Sequence, residues 1–189
     1  MNKSTILLAC LLVNLTACST IVSKIGGDKP VGTDSSQRSF GRIVDDQIIE
    51  TYVGANILKA DEDFQSSNIV VTSLNGLVLL VGQVQSEKLR QLASQTAEKV
   101  RNVRRVHNEI TVAGPISLPA RTSDTWLTTK IKSRMLGTEG VNPLKIKVVV
   151  ENGVVYLMGM VTREEAEQAV HLTQQAYGVQ KIVKVFEYL

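Results

Sequence analysis

The sequence predicts an α+β protein built from two copies of one small unit, and two observations support this prediction. The segment Asn75–Val84 (NGLVLLVGQV) is matched 77 residues later by Asn152–Val161 (NGVVYLMGMV). Each copy has an Asn-Gly pair, an apolar run that includes a glycine, and a helix-start signal just beyond it. The chain has 189 residues, so each unit has about 65 residues and a thin core.

Each unit is predicted to begin with a helix. Apolar residues at positions i, i+4 and i+8 indicate a helix with one buried stripe. The second of these helices is expected to start at Ser123 as the N-cap, with Asp124 near the positive end of the helix dipole. The two stripes are Ile49, Val53 and Ile57, and Leu127, Ile131 and Met135.

The remainder of each unit is predicted to be strand, strand, helix, strand. The β-branched runs at residues 69–72 and 146–150 lead into the Asn-Gly pairs, which favour a type I′ turn because that turn needs positive φ at both central residues. The second helices are expected to begin at Ser86 and Thr162, and Thr162 with Glu165 has the pattern of a capping box. The last strands are predicted at residues 103–112 and 179–188. Two helices on one face of a three-stranded mixed sheet is then the simplest packing for each unit, since neither layer could bury its apolar side alone.

Residues 1–17 have the features of a signal peptide. A short positive start precedes an apolar run at residues 5–15 that is too short to span a bilayer. The segment Leu15–Cys18 (LTAC) resembles the bacterial lipobox, in which the cysteine thiol is acylated. This resemblance implies that Cys18 carries a diacylglyceryl group and an amide-linked acyl chain. Three acyl chains together would hold the protein stably in a membrane. The alternative is an ordinary signal peptide that has a cysteine at the cleavage site.

The residue after the cysteine bears on localisation. In lipoproteins of enteric-type bacteria an aspartate at this position marks retention in the inner membrane, and here Ser19 occupies it. We therefore expect an outer-membrane protein whose domains lie in the periplasm. Residues 18–42 would form a flexible tether, residues 43–112 the first domain, residues 113–122 a proline-containing linker, and residues 123–189 the second domain.

Composition argues against several classes of function. The net charge is only +3 and aromatic residues make up 4% of the chain, so neither a broad basic surface nor a base-stacking platform for nucleic acid is expected. The two histidines, His107 and His171, have no cysteine or histidine partner at a metal-binding spacing. Glu164 and Glu165 are explained by the capping box. We expect no enzymatic activity, no metal and no cofactor beyond the lipid on Cys18.

The order of elements, the Asn-Gly turns, the Val-x-Leu-x-Gly strands and the run Gly178–Val183 (GVQKIV) resemble the BON domain. This domain occurs in tandem in periplasmic and outer-membrane proteins of Gram-negative bacteria, and the resemblance covers the chain from about residue 40. It implies a protein that binds anionic phospholipids such as phosphatidylglycerol and cardiolipin, supports outer-membrane integrity and concentrates at the division site.

The resemblance also implies that the lipid-binding surface is centred on the first helix of the second domain. The residues themselves agree in part, since a tryptophan beside lysines has the composition of a membrane-interface anchor, widened here by Lys132 and Arg134. Ile131 belongs to the buried stripe by its spacing. Trp126 could instead pack against the neighbouring domain. The implied set is Trp126, Thr129, Lys130, Ile131, Lys132, Ser133 and Leu136.

The first helix of the first unit differs at the aligned positions. Ile48 and Tyr52 stand where the second unit has Trp126 and Lys130. This helix carries less positive charge, so we expect it to pack against the second unit. A second hypothesis is that the sheet surface or the first unit recruits an envelope protein, such as a regulator of cell-wall hydrolases.

Overall fold

The structure, a computed structural model, describes residues 40–114 and 118–189. The signal peptide, Cys18 and residues 19–39 of the predicted tether lie outside the described residues. The first repeat contains α1 (Phe40–Ala60), a 3₁₀ turn (Glu62–Ser66), β1 (Asn68–Leu74), β2 (Leu77–Val84), α2 (Glu87–Glu98) and β3 (Arg105–Val112). The second contains α3 (Leu118–Leu136), β4 (Ile146–Glu151), β5 (Val154–Val161), α4 (Arg163–Gln174) and β6 (Lys181–Tyr188).

Each repeat forms its own three-stranded mixed sheet. The central strand, β2 or β5, pairs antiparallel with the strand before it and parallel with the strand after it. The apolar sides of the two helices cover one face of each sheet and form a separate hydrophobic core in each domain. The prediction of an α+β fold with two helices on a three-stranded mixed sheet, present twice, is confirmed.

The Asn-Gly turns have the backbone conformation that their sequence predicts. Asn75 and Gly76 have φ of 57° and 75°, and Asn152 and Gly153 have φ of 49° and 74°. Positive φ at both central residues gives the hairpin a twist that matches the twist of its strands. The last strand of each repeat begins two residues later than predicted, because the preceding residue still bonds to the turn: Gln180 N–H donates to the Gly153 carbonyl at 2.9 Å.

The helix starts were predicted with mixed success. Thr162 caps α4 with both halves of the capping box, and the Ser86 hydroxyl accepts the Leu89 N–H at the start of α2. The prediction that Ser123 is an N-cap was wrong, since α3 begins at Leu118 and Ser123 lies inside it. Pro119 is compatible with the first helical turn because the N–H it lacks would have no intrahelical partner there.

The helices also extend beyond the domain limits predicted from the apolar stripes. α1 includes residues 40–42 of the predicted tether, and α3 includes residues 118–122 of the predicted linker. These additional helical turns precede the buried stripes. They contain no apolar repeat from which a helix could be predicted.

Asp124 does not lie at the start of its helix, where it was predicted to interact with the helix dipole. It is buried in the middle of α3, and its carboxylate accepts the backbone N–H groups of Asn152 and Gly153 at 2.7 and 2.9 Å. Asp46 in α1 does the same for Asn75 and Gly76 at 2.9 and 3.1 Å. Each domain therefore fixes its hairpin turn with an aspartate from its first helix.

The free faces of the two sheets pack against each other and form a third hydrophobic core. Around it, Lys147 Nζ contacts Glu50 Oε1 at 2.8 Å and the Ser73 carbonyl at 2.7 Å, and Arg104 pairs with Glu187 at 2.7 Å. The sheet faces are thus buried between the domains and are not exposed to a further partner. The helices of the two domains lie on opposite outer sides. The buried residues of this core are Leu74, Leu77, Leu79, Val81, Tyr156, Met158 and Val185.

Candidate functional site

α3 is held against the second domain by its buried stripe. Leu127, Ile131 and Met135 are all buried in the core of this domain, and α3 packs mainly on β4. Because 3.6 residues make one turn, the opposite side of the helix is left open to solvent. The residues exposed on that side are Trp126, Thr129, Lys132, Ser133 and Leu136.

Trp126 and Lys130 form the most distinctive contact on this surface. The Trp126 side chain is 55% exposed, and Lys130 Nζ lies 4.5 Å from the centroid of its ring. A cation over the face of an indole is attracted by the ring quadrupole. The arrangement keeps both an apolar ring and a positive charge at the surface, one turn apart.

The remaining exposed residues complete an amphipathic surface. At 100° per residue, Lys130 and Lys132 lie about 160° apart around the helix axis. Trp126, Ser133 and Leu136 fall in the arc between them, and Leu136 is 72% exposed. The helix thus presents an apolar and hydroxyl-bearing strip with a lysine on each flank, which we call the α3 surface (Trp126, Thr129, Lys130, Lys132, Ser133 and Leu136).

The hydroxyl at Thr129 is already in use as a donor. Its Oγ1 donates to the Thr125 carbonyl at 3.1 Å, one turn earlier in the helix. A threonine hydroxyl has one proton and two acceptor lone pairs, so Thr129 can accept a hydrogen bond from a ligand but has no proton left to donate.

Two residues expected at this surface are not on it. Ile131 is 0% exposed, so it belongs to the core and was wrongly included in the predicted contact set. The reason is its place in the i, i+4 stripe, where the same side chain cannot also face solvent. Arg134 is half-buried, and its Nη1 atom is buried with no hydrogen-bond partner among the described residues. Arg134 therefore adds less positive surface than expected.

The aligned face of α1 has a different character. Ile48 and Tyr52 are exposed, together with Ile43 and Val44. On another side of α1, the Glu50 carboxylate reaches the second domain through Lys147. The expectation that this helix packs against the second domain was wrong, because the sheets form that contact. The residue pattern does not indicate which layer meets the other domain, since both layers have an apolar side.

The described residues contain no candidate metal site. Within residues 40–114 and 118–189, no group of three or more histidine, cysteine, aspartate or glutamate side chains could hold a metal ion. His171 is exposed on α4, and His107 is half-buried in β3. None of the helices in this part of the chain is long and apolar enough to cross a bilayer.

Comparison with known protein families identifies both domains. The model of the BON domain matches residues 45–114 and again residues 123–189, which include both sheets, both Asn-Gly hairpins and most of each first helix. The chain belongs to the BON-domain family. Its two BON domains are the two repeats described above, and the α3 surface is part of the second BON domain.

Individual relatives support the same assignment. The chain is 35% identical over 164 residues to the outer membrane lipoprotein DolP of Haemophilus influenzae, covering 87% of this chain and 85% of the relative. It is 34% identical over 152 residues to a 21 kDa hemolysin of Actinobacillus pleuropneumoniae, covering 80% and 78%. It is 29% identical over 152 residues to the osmotically-inducible protein Y of Escherichia coli, covering 79% and 75%. These findings support a dual-BON protein of the DolP type, and with it an outer-membrane lipoprotein.

Proposed function

We propose that this protein is a lipid-anchored periplasmic binding protein whose second BON domain binds anionic phospholipids through the α3 surface. Phosphatidylglycerol and cardiolipin are the lipids we propose. The observation that carries the proposal is the exposed Trp126 ring with the Lys130 ammonium over it. The proposed activity is binding and not catalysis.

The physical case rests on matching each part of the α3 surface to a layer of the membrane. Trp126 and Leu136 can enter the interface between headgroups and acyl chains, where an amphipathic indole ring is favoured. Lys130 and Lys132 flank that strip and would lie at the level of the phosphates. Each lysine near an anionic leaflet contributes about 1 kcal/mol, so two lysines favour anionic over zwitterionic lipid by on the order of tenfold or more.

The proposed anchor is Cys18. Its acyl chains would hold the protein in the outer membrane, and residues 19–39 would connect it to α1. A flexible segment of this length spans roughly 25 Å, enough for the α3 surface to reach the leaflet that holds the anchor. Support of outer-membrane integrity and enrichment at the division site belong to the same proposal.

The test measures vesicle binding by the chain from residue 18 with Cys18→Ala, so that no acyl chain contributes. Phosphatidylglycerol vesicles should bind this protein, and phosphatidylcholine vesicles should bind it at least about tenfold more weakly. Trp126→Glu should weaken binding to phosphatidylglycerol by at least about tenfold, because it removes the ring and adds a negative charge facing negative lipid.

The matched control is Ile48→Glu, which introduces the same charge at the aligned position of α1. It should leave vesicle binding unchanged, since α1 and α3 lie on opposite outer sides of the molecule. Equal affinity of Trp126→Glu and the parent protein would refute the α3 surface as the lipid contact. Equal binding to both kinds of vesicle would refute the recognition of anionic lipid.

A second candidate function is recruitment of an envelope protein through the first domain. One observation favours it: the exposed face of α1 presents Ile43, Val44, Ile48 and Tyr52 side by side. When the α3 surface lies on a membrane, this apolar face points away from it. The two functions are compatible, because they use different domains.

A further inference from the structure

A groove runs along the outer side of the second domain, between α4 and β6. One part of it, with a cavity volume of about 250 Å³, lies near the start of α4 and the end of β6. The adjoining part, of about 410 Å³, continues toward the start of β6 and shares Val170, Gln174 and Lys184 with the first. The groove therefore follows the length of β6, which is about 25 Å for its eight residues.

β6 is an edge strand. Its sheet has the order β4-β5-β6, so β6 pairs with β5 on one side and with no strand of the described chain on the other. An edge strand presents unpaired backbone N–H and carbonyl groups, to which an extended peptide can add as a further strand. The helix beside it, α4, supplies the opposite wall for the side chains of such a peptide.

The floor and the rim of the groove have different characters. Val170, Val179 and Ile182 provide apolar surface, while Lys181, Lys184 and Arg163 provide positive charge. The Arg163 guanidinium lies 5.0 Å from the centroid of the Tyr188 ring. These three cations form no salt bridge with any described residue, and Glu167 is the acidic residue in the groove lining.

The first domain shows that the charges of Arg163 and Lys184 are not a requirement of the fold. At the aligned positions, Glu87 stands in place of Arg163 and Asn108 in place of Lys184, whereas Arg105 keeps the positive charge of Lys181. Glu98 stands in place of Gln174. Asn108 Nδ2 donates to the Arg90 carbonyl of α2 at 2.8 Å, so this side chain links the strand to the helix. The same architecture thus has a bridged helix-strand gap with two acidic residues and one cation in the first copy, and a groove with three cations in the second.

We propose that the groove between α4 and β6 binds an extended acidic peptide segment of another protein, which adds to β6 as a fourth strand. Main-chain hydrogen bonds to β6 supply affinity that does not depend on sequence. Apolar side chains of the segment enter the groove over Val170 and Ile182, and its carboxylates pair with Arg163, Lys181 and Lys184. The repulsion from these cations disfavours basic segments.

The position of the groove separates it from the α3 surface. α3 packs on β4, whereas α4 packs on β5 and β6, so the groove lies at the far edge of the sheet from α3. A protein held on a membrane through α3 leaves the groove open to the periplasm. The second domain can therefore bind lipid and a peptide at the same time.

The experiment uses the full chain in a neutral detergent and an eight-residue peptide of alternating glutamate and valine with a fluorescein label. Fluorescence anisotropy should show saturable binding. The double variant Arg163→Glu and Lys184→Glu should bind at least about tenfold more weakly, because two attractive charges become repulsive. The matched control, Lys99→Glu and Arg101→Glu, makes the same change in net charge at exposed positions of the first domain and should bind like the parent protein.

A second measurement separates strand addition from simple charge attraction. One version of the peptide is N-methylated at every glutamate and the other at every valine. Their affinities should differ strongly, because only every second N–H of a β-strand points toward a given neighbouring strand. One phase should bind and the other should not. The proposal is overturned by absence of saturable binding, by equal losses in the groove variant and its control, or by equal binding of both methylated peptides.

Vesicle binding by the same groove variant completes the test. A loss of affinity for phosphatidylglycerol vesicles as large as that of Trp126→Glu would assign the groove to the lipid surface and overturn the proposal of a peptide site. A negative result with the peptide leaves the vesicle result for the α3 surface unaffected, so failure of this inference and failure of the proposed function are distinguishable.

Discussion

At the scale of single residues, a buried aspartate explains how each hairpin turn is fixed. Asp46 accepts the N–H groups of Asn75 and Gly76 and also the hydroxyl of Ser73, at 2.8 to 3.1 Å. Asp124 accepts two N–H groups. Buried N–H groups need a partner, because leaving one unsatisfied costs about 1–3 kcal/mol. Each aspartate thus stabilises its hairpin turn by accepting hydrogen bonds from the backbone N–H groups of the Asn-Gly pair.

We predict that Asp46→Ala and Asp124→Ala each lower the free energy of unfolding by about 2–4 kcal/mol, with the larger loss for Asp46 because it has one more donor to satisfy. Chemical denaturation followed by circular dichroism measures both. Asp45→Ala, at the exposed neighbouring position, should change stability by less than about 0.5 kcal/mol. A comparable loss in Asp45→Ala would mean that the aspartates act through helix charge and not through the turn.

At the scale of elements, the start of α4 links a cap to the neighbouring loop. Thr162 Oγ1 accepts the Glu165 N–H at 3.2 Å, and Glu165 Oε2 accepts the Thr162 N–H at 3.0 Å. The same carboxylate pairs with Lys145 at 3.0 Å, where both side chains are largely buried. One glutamate therefore joins the helix start to the residue that precedes β4, so α4 is held in place relative to the sheet.

Thr162→Ala should lower the free energy of unfolding by about 1 kcal/mol, since an N-cap hydroxyl is lost. Thr162→Ser keeps the hydroxyl and should retain most of the stability, to within a few tenths of a kcal/mol. Thermal unfolding of the two variants side by side provides the comparison. If the serine variant were as unstable as the alanine variant, the methyl group of Thr162 and not its hydrogen bond would account for the effect.

At the scale of the whole molecule, the two domains share a core that neither has alone. Tyr156 and Met158 of β5 meet Leu77 and Leu79 of β2 between the sheets. Burial, together with the negative charges of Glu109 and Glu151, raises the pKa of Tyr156 from 10.0 to about 12. The contact between domains therefore contains a phenol that resists ionisation.

This pKa predicts a loss of stability in alkaline solution. Below pH 10 the tyrosine is protonated in both the folded and the unfolded state and has no effect on pH dependence. Between pH 10 and about 12 the unfolded state releases this proton first, so the free energy of unfolding falls, by on the order of 2 kcal/mol for a shift of this size. Tyr156→Phe should remove that part of the decline.

Denaturation curves at pH 9 and pH 11 check the prediction by comparing the parent protein with Tyr156→Phe. Tyr177→Phe is the matched control, since Tyr177 is 85% exposed and should leave the decline unchanged. Identical pH dependence in the parent and Tyr156→Phe would show that the interface does not perturb this tyrosine.

The candidate site was predictable in part, for a specific physical reason. Helical spacing separates Trp126 from the buried stripe, so its exposure on α3 could be expected from sequence. Ile131 could be recognised as a core residue by the same rule, yet the resemblance to the family placed it in the contact set. The α4–β6 groove was missed. A comparison of the second helices and last strands of the two repeats, at Glu87 against Arg163 and Asn108 against Lys184, would have indicated it.

The sequence by itself determined the repeated fold, because its signals are local: a turn that requires positive φ at Asn75 and Gly76, a capping box at Thr162, and apolar stripes with helical spacing. Only the tertiary structure decided which surfaces remain free. Each sheet has two apolar faces. The order of residues does not indicate which face packs against the two helices and which packs against the other sheet. That choice depends on contacts between residues far apart in the chain, and it leaves the α3 surface and the α4–β6 groove open on the outside of the second domain.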